Sequence, residues 1–203
     1  MEKIAEPDEL QKEFSKRVPS LILASSSPNR KALLERAGTV VTTFSPDIDE
    51  SRDNSDPIES IKEIVKRKFA SYKNSLSYRP DVIAIAADTL VLKDNKLIGK
   101  PKDAKEAKEI LKLLSAGEQK VLTAVALHIP DKEDIFFVDS ATVVFKKLSE
   151  DDIECYISKD EWIGAAGGYR LQMTGYELVD SIDGDWTCVV GLPLKAILEH
   201  ISS

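Results

Sequence analysis

The chain has 203 residues, 42% of them hydrophobic and 31% charged, with a net charge of −7. That length suits one large domain or two small ones, and the composition is ordinary for a globular protein in water. The negative balance argues against a general nucleic-acid or membrane-surface binder, since both need a positive footprint. It leaves room for a small anionic ligand held by local lysines. Cys155 and Cys188 are the only cysteines, and their wide spacing supports neither a cysteine–metal site nor a disulfide framework. No apolar run approaches the ~20 residues of a bilayer span. Residues 1–19 lack the apolar core of a secretory signal, so a cytoplasmic protein is expected.

In chain order, residues 1–19 predict a polar N-terminal extension with at most a short helix, ahead of a single domain over residues 20–203. Residues 21–24 form a short apolar strand. The run Ser25-Ser26-Ser27-Pro28 follows, and a helix over 28–37 ends at Gly38. Ser27 suits the N-cap and Pro28 the first helical position. Residues 40–44 predict a second strand. Residues 46–57 are acidic and turn-rich, with Asp47, Asp49, Glu50, Asp53 and Asp56. A long helix over 57–72 has an apolar face of Ile58, Ile61, Ile64, Val65, Phe69 and Tyr72. Lys68 falls on that same face, and a lysine facing inward needs a partner or a water-filled cleft.

Residues 82–87 read as a buried strand that stops at Asp88 and resumes over 90–92, with a turn at 93–96. Asp103 caps the next helix, with Glu106 completing a capping box and Ala104, Ala107, Leu111 and Leu114 as its inner stripe. Residues 120–129 and 135–145 alternate like paired strands, and Ser149 starts a short helix. Residues 164–168 predict a flexible glycine loop before Tyr169-Arg170-Leu171-Gln172, and Gly191 to Leu194 opens the last helix. Strands alternating with helices, without an internal repeat, predict a single mixed α/β fold, in two lobes around a cleft.

Several stretches carry candidate chemistry. Ser25 to Lys31 joins a strand end, hydroxyls and a helix start, where free N–H groups favour an anion and Arg30 offers a bidentate donor; ordinary capping explains the same serines. Asp49 and Glu50 can hold a hard cation such as Mg²⁺, and an acidic run facing water accounts for them equally. Asp88, behind a run of apolar and small residues, is a buried acid that needs a reason, or else a strand-end turn residue. Lys100 is fixed between Gly99 and Pro101, as tight-turn chemistry would also have it. Gln172 follows a glycine pair and can read a base edge, though a glycine pair is a weak signal. His128 and His200 lack metal-ligand spacing, and no Walker phosphate loop is present.

Taken in order, these stretches resemble the Maf family of nucleoside triphosphate pyrophosphatases, once described as septum-formation inhibitors. The family's LAS-x-SPRR-x-ELL resembles residues 23–34, and its V-D/E-E matches Ile48-Asp49-Glu50. Its A-x-x-KA helix matches residues 65–69, its ADT Ala87-Asp88-Thr89, and its GKP Gly99-Lys100-Pro101. Its AGAY-x-IQ resembles residues 166–172, and its VVGLPL is identical at 189–194. The resemblance implies an inosine-triphosphatase-like α/β fold. It also implies hydrolysis between the α and β phosphates, a Mg²⁺ or Mn²⁺ requirement and a homodimer. Asp88 would be the proton acceptor, Glu50 with Asp88 the metal ligands, and Arg30, Lys68 and Lys100 the phosphate-neutralising cations. Ser25, Ser27 and the following helix would add hydrogen bonds to phosphate. Asn29, Thr89 and Gln172 occupy positions associated with substrate choice. Thr89 and Gln172 match the subgroup acting on dTTP and UTP, whereas Asn29 stands where the family has its first arginine. A 7-methyl-GTP enzyme and a nucleotide-binding regulator of septation with little catalysis are the alternatives. No membrane or nucleic-acid partner is expected.

Overall fold

The computed structural model describes residues 7–51 and 56–203, so the acidic position Asp53 lies outside the described residues. The elements run α1 (Glu9–Arg17), β1 (Ser20–Ala24), α2 (Pro28–Ala37), β2 (Val40–Phe44), α3 (Pro57–Lys73), β3 (Ala84–Lys93) and β4 (Lys96–Ile98). They continue as α4 (Ala104–Leu114), β5 (Glu118–His128), β6 (Ile135–Phe145), α5 (Glu150–Ile157), β7 (Val179–Asp183), α6 (Trp186–Val190) and α7 (Leu194–Ser202). The strands form a mixed sheet in the order β2-β1-β3-β5-β6-β7, with β4 hydrogen-bonded to β3. β1 is parallel to both β2 and β3, whereas β4 and β7 run antiparallel to their neighbours. The mixed α/β class expected from the sequence is the class observed. The chain divides into two compact units.

One unit comprises the described residues up to Asp88, together with Thr123–Asp139 and Gly191–Ser203. Leu21, Leu23 and Ala24 of β1 and Ala84 to Ala87 of β3 are buried without alternation, the mark of parallel strands covered on both faces. α3 lays Ile61, Ile64, Val65, Phe69 and Tyr72 into this core, with Lys68 among them. Ile58, expected on the same face, is instead exposed in the first turn. Residues 7–19 are more than a polar lead-in. Asp8 and Gln11 form a capping box for α1, and Phe14 and Val18 are fully buried.

The C-terminal end of α3 is braced by polar groups. Tyr72 meets the Phe44 and Tyr78 rings edge-on, each at 5.5 Å. His128 Nδ1 lies 2.9 Å from Asp134 Oδ1 and its Nε2 lies 3.0 Å from the Pro80 carbonyl, while Lys73 also pairs with Asp134. The brace fixes the helix that carries Lys68.

The other unit contains Thr89–Leu122 and Ser140–Val190. Asp94 and Asn95, both with positive φ, make the two-residue turn between β3 and β4. Asp103 caps α4 by accepting from the Glu106 N–H at 2.8 Å. The Glu106 carboxylate accepts from the Lys102 N–H instead, so the expected capping box reaches one residue too far back. Residues 164–168, expected to be a flexible loop, hold a short 3-10 turn in which Gly167 and Gly168 are buried. β7 and α6 were not foreseen in the sequence.

Burial of the Asp134 carboxyl works against its charge, but Lys73 and His128 outweigh it and hold the group below its ordinary value of 3.8. A carboxyl depressed in the folded state contributes stability above its unfolded value and loses it as pH falls through the folded one. Asp134→Asn should therefore destabilise the protein near neutral pH by roughly 1–3 kcal/mol in urea denaturation. The gap to wild type should narrow as pH drops below 3.8; a gap independent of pH there would contradict the brace.

Candidate active site

The parallel trio β2-β1-β3 sends its C-terminal ends in one direction. Ligands of open α/β sheets gather outside such ends. β1 runs into Ser25 and β2 leads toward the segment holding Glu50, while Asp88 is the fifth of the ten residues of β3, a strand that runs on through it to Lys93 rather than stopping there as the sequence predicts. Leu23 is paired with Ile85. Continued along both strands, that register brings Ser25 beside Ala87, next to Asp88. Side chains alternate along a strand, so Asp88 shares its face with Ala84 and Ala86, two small residues that leave room for α3.

Lys68 fills that room. Its Nζ lies 2.9 Å from Asp88 Oδ1 and 2.9 Å from Glu50 Oε1. Lys68 and Asp88 are both 5% exposed, whereas the Glu50 carboxylate is half in solvent. The inward lysine read from the helical phase thus has its partners, and the carboxylates outnumber the ammonium two to one. Two carboxylate oxygens already converge on one cationic atom. A hard divalent ion takes such oxygens, together with phosphate and water, so Glu50 and Asp88 fit a magnesium-type site. Among the described residues no group of three or more His, Cys, Asp or Glu gathers.

Arg30, on the first turn of α2, is buried as well. Its Nε donates to the Gly191 carbonyl at 2.7 Å and its Nη1 to Ser25 Oγ at 3.0 Å. Ser25 Oγ also accepts from the Ser27 N–H at 3.2 Å. Ser27 occupies the N-cap as expected, but its side chain makes no capping bond. Asn29 is half-buried beside Arg30.

Ser25, Ser27, Asn29, Arg30, Glu50, Lys68 and Asp88 all belong to one compact unit, while Thr89, Lys100 and Gln172 belong to the other. Within that second unit two motifs meet. The Gly167 N–H donates to the Gly99 carbonyl at 3.1 Å, so the stretch carrying the exposed Lys100 is tied to the one leading to Gln172. Gly167 has φ +75, and a Cβ there would come within 3.2 Å of the Tyr169 ring and 3.3 Å of Val91 Cγ2, so any side chain would be strained. Tyr169 is buried, and burial pushes its phenol up to about 12 although Gln119 Nε2 donates to its oxygen at 3.3 Å. Thr89 and Gln172 are half-buried.

Reading residue types did not single out Gly191, because a backbone carbonyl has no side-chain signature; its place in the 189–194 motif was the one available signal. Lys73 and Asp134 were missed because neither falls in a motif.

Comparison with known proteins shows which family the chain resembles. The Maf-like protein family matches residues 20–203. A curated relative from Pyrococcus furiosus, named dTTP/UTP pyrophosphatase, is 40% identical over 89% of this chain and 93% of its own length. One of the same name from Acholeplasma laidlawii is 39% identical over 89% of this chain and 94% of its own. Among solved structures, the Staphylococcus aureus Ham1 protein matches with a TM-score of 0.39 and 14% identity, covering 62% of this chain and 71% of that one. That likeness is too slight to argue from.

Lys68→Met takes the ammonium away from a buried carboxylate, a change that typically costs about 3–5 kcal/mol. The double variant Lys68→Met/Asp88→Asn removes both charges and should recover a large part of the loss in urea denaturation. Equal destabilisation of the single and double variants would show that the pair does not govern stability here.

Proposed function

This chain belongs to the Maf family, and from that premise we propose that it hydrolyses nucleoside triphosphates to a nucleoside monophosphate and pyrophosphate. Its dTTP/UTP pyrophosphatase relatives support a preference for pyrimidine nucleotides, and so do Thr89 and Gln172. The observation that carries the reading is the buried Lys68–Asp88 contact with Glu50 on the same ammonium.

In this reading the Asp88 carboxylate accepts a proton from water. The water oxygen bonds to the α-phosphorus, the bond from that phosphorus to the bridging oxygen breaks, and pyrophosphate leaves with the electron pair. Glu50 and Asp88 would hold a divalent ion, Mg²⁺ or Mn²⁺, and that ion would offset phosphate charge and lower the pKa of water. Lys68 keeps the two carboxylates in place and, with Arg30 and Lys100, neutralises the triphosphate. Ser25, Ser27 and the first turn of α2 offer donors to phosphate oxygens. Asn29, Thr89 and Gln172 bear on the choice of base. The family resemblance also supports a cytoplasmic homodimer.

The test is pyrophosphate release from a panel of common and modified triphosphates with Mg²⁺. dTTP and UTP should be turned over fastest, and no release from any of them would overturn the proposal. Asp88→Asn should cut kcat by about 10²–10⁴-fold while leaving a cooperative unfolding transition, because Lys68 keeps Glu50 as a partner. Wild-type turnover in that variant would remove Asp88 from its role.

A further inference from the structure

Arg30 is held at two of its nitrogens, and one of its anchors is a main-chain carbonyl 161 residues away. The guanidinium is a rigid plane of five donors. One bond from Nε to the Gly191 carbonyl and one from Nη1 to Ser25 Oγ therefore set the tilt of that plane. The second anchor is itself held. Ser25 Oγ accepts from both Arg30 and the Ser27 N–H, which occupies its two lone pairs and leaves its hydroxyl proton to be donated.

Gly191 lies in the short connection between α6 and α7. Its φ is +112, a conformation that a residue with a Cβ adopts only under strain. The residues after it are clamped: Leu192, Leu194 and Ile197 are fully buried. The carbonyl therefore points at Arg30 by virtue of a backbone turn that glycine permits and a buried segment that cannot drift.

We propose that Gly191 is a positioning residue for the reaction. Its carbonyl, together with the Ser25 hydroxyl, presets the plane of the Arg30 guanidinium that receives a phosphoryl group of the substrate. The inference rests on the proposed function, in which Arg30 binds phosphate. A misplacement of about 1 Å in such a group can cost 10²-fold in rate, which is why a residue that does not touch substrate matters here. The arrangement also requires arginine rather than lysine at position 30, because one ammonium cannot serve both anchors and still present a flat donor edge.

The experiment compares kcat/KM for dTTP in wild type, Arg30→Ala, Arg30→Lys, Gly191→Ala and the double variant Arg30→Ala/Gly191→Ala, at a temperature where circular dichroism shows each to be folded. Arg30→Ala should lose about 10²–10³-fold. Gly191→Ala should lose about tenfold or more, chiefly in kcat. Adding Gly191→Ala to Arg30→Ala should cost less than about twofold, since residues acting through one another are not additive. Losses that multiply in full would overturn the proposal, because a glycine needed only for the fold would act equally in either background. Arg30→Lys leaves the backbone untouched and so reads the same point should Gly191→Ala not fold. It should lose at least about tenfold, and wild-type kcat/KM there would also overturn the proposal. Wild-type kcat/KM in Arg30→Ala would instead remove Arg30 from the substrate, a failure of the proposed function that this comparison separates from a failure of the positioning role.

Discussion

The ion pair between Lys68 and Asp88 is the constraint on which the rest of this unit depends. Both groups are buried, and two charges out of water must meet each other closely or unfold the surroundings. That demand fixes the phase of α3. Rotating the helix by one residue would swing Lys68, together with Ile61, Ile64 and Tyr72, out of the core and away from Asp88. It also fixes the register of β3, since a slip of one residue turns Asp88 to the opposite face. The contacts from Tyr72, Lys73 and His128 at the far end of α3 hold the helix against both changes.

A buried ion pair is weak evidence for stability as such, because a well-packed apolar pair of similar volume is often at least as stable. Its presence in a core otherwise made of Ile, Val, Leu and aromatic residues calls for another explanation. Glu50 supplies one. It brings a second carboxylate to the same ammonium while remaining half in solvent, so the cluster is buried on one side and open on the other. Such an arrangement keeps Lys68 fixed inside while leaving a carboxylate edge open to solvent. A purely structural pair has no use for the third, exposed member.

The strongly patterned first half of the chain was the most legible. Pro28, Gly38 and Pro57 punctuate the sequence and the apolar spacing is regular, so the bounds of α2 and β2 and the start of α3 are those the sequence predicts. Lys68 was readable as inward-facing from phase alone, and its partners followed in the structure. α1 is hard to read because Leu10 and Phe14 alone among charged and polar residues give little periodicity, yet Phe14 is fully buried. The glycine stretch at 164–168 looked mobile because glycine permits mobility; here it permits close packing instead. β7 and α6 are five residues each, too short for a period to declare itself. The Arg30–Gly191 bond joins a side chain to a carbonyl across most of the chain, and no local pattern encodes such a contact.

Asn29 shows how the two halves of the α2 start differ in what they demand. Arg30 has its plane set by Gly191 and Ser25, so a substitution there disturbs a network extending to the C-terminal segment. Asn29, one position earlier, is half-buried in the same first turn. An arginine at that position would add a charge and a fork of donors; asparagine supplies a short amide that donates and accepts without charge. The exchange therefore alters what the turn can say to a ligand while leaving the anchored guanidinium where it is.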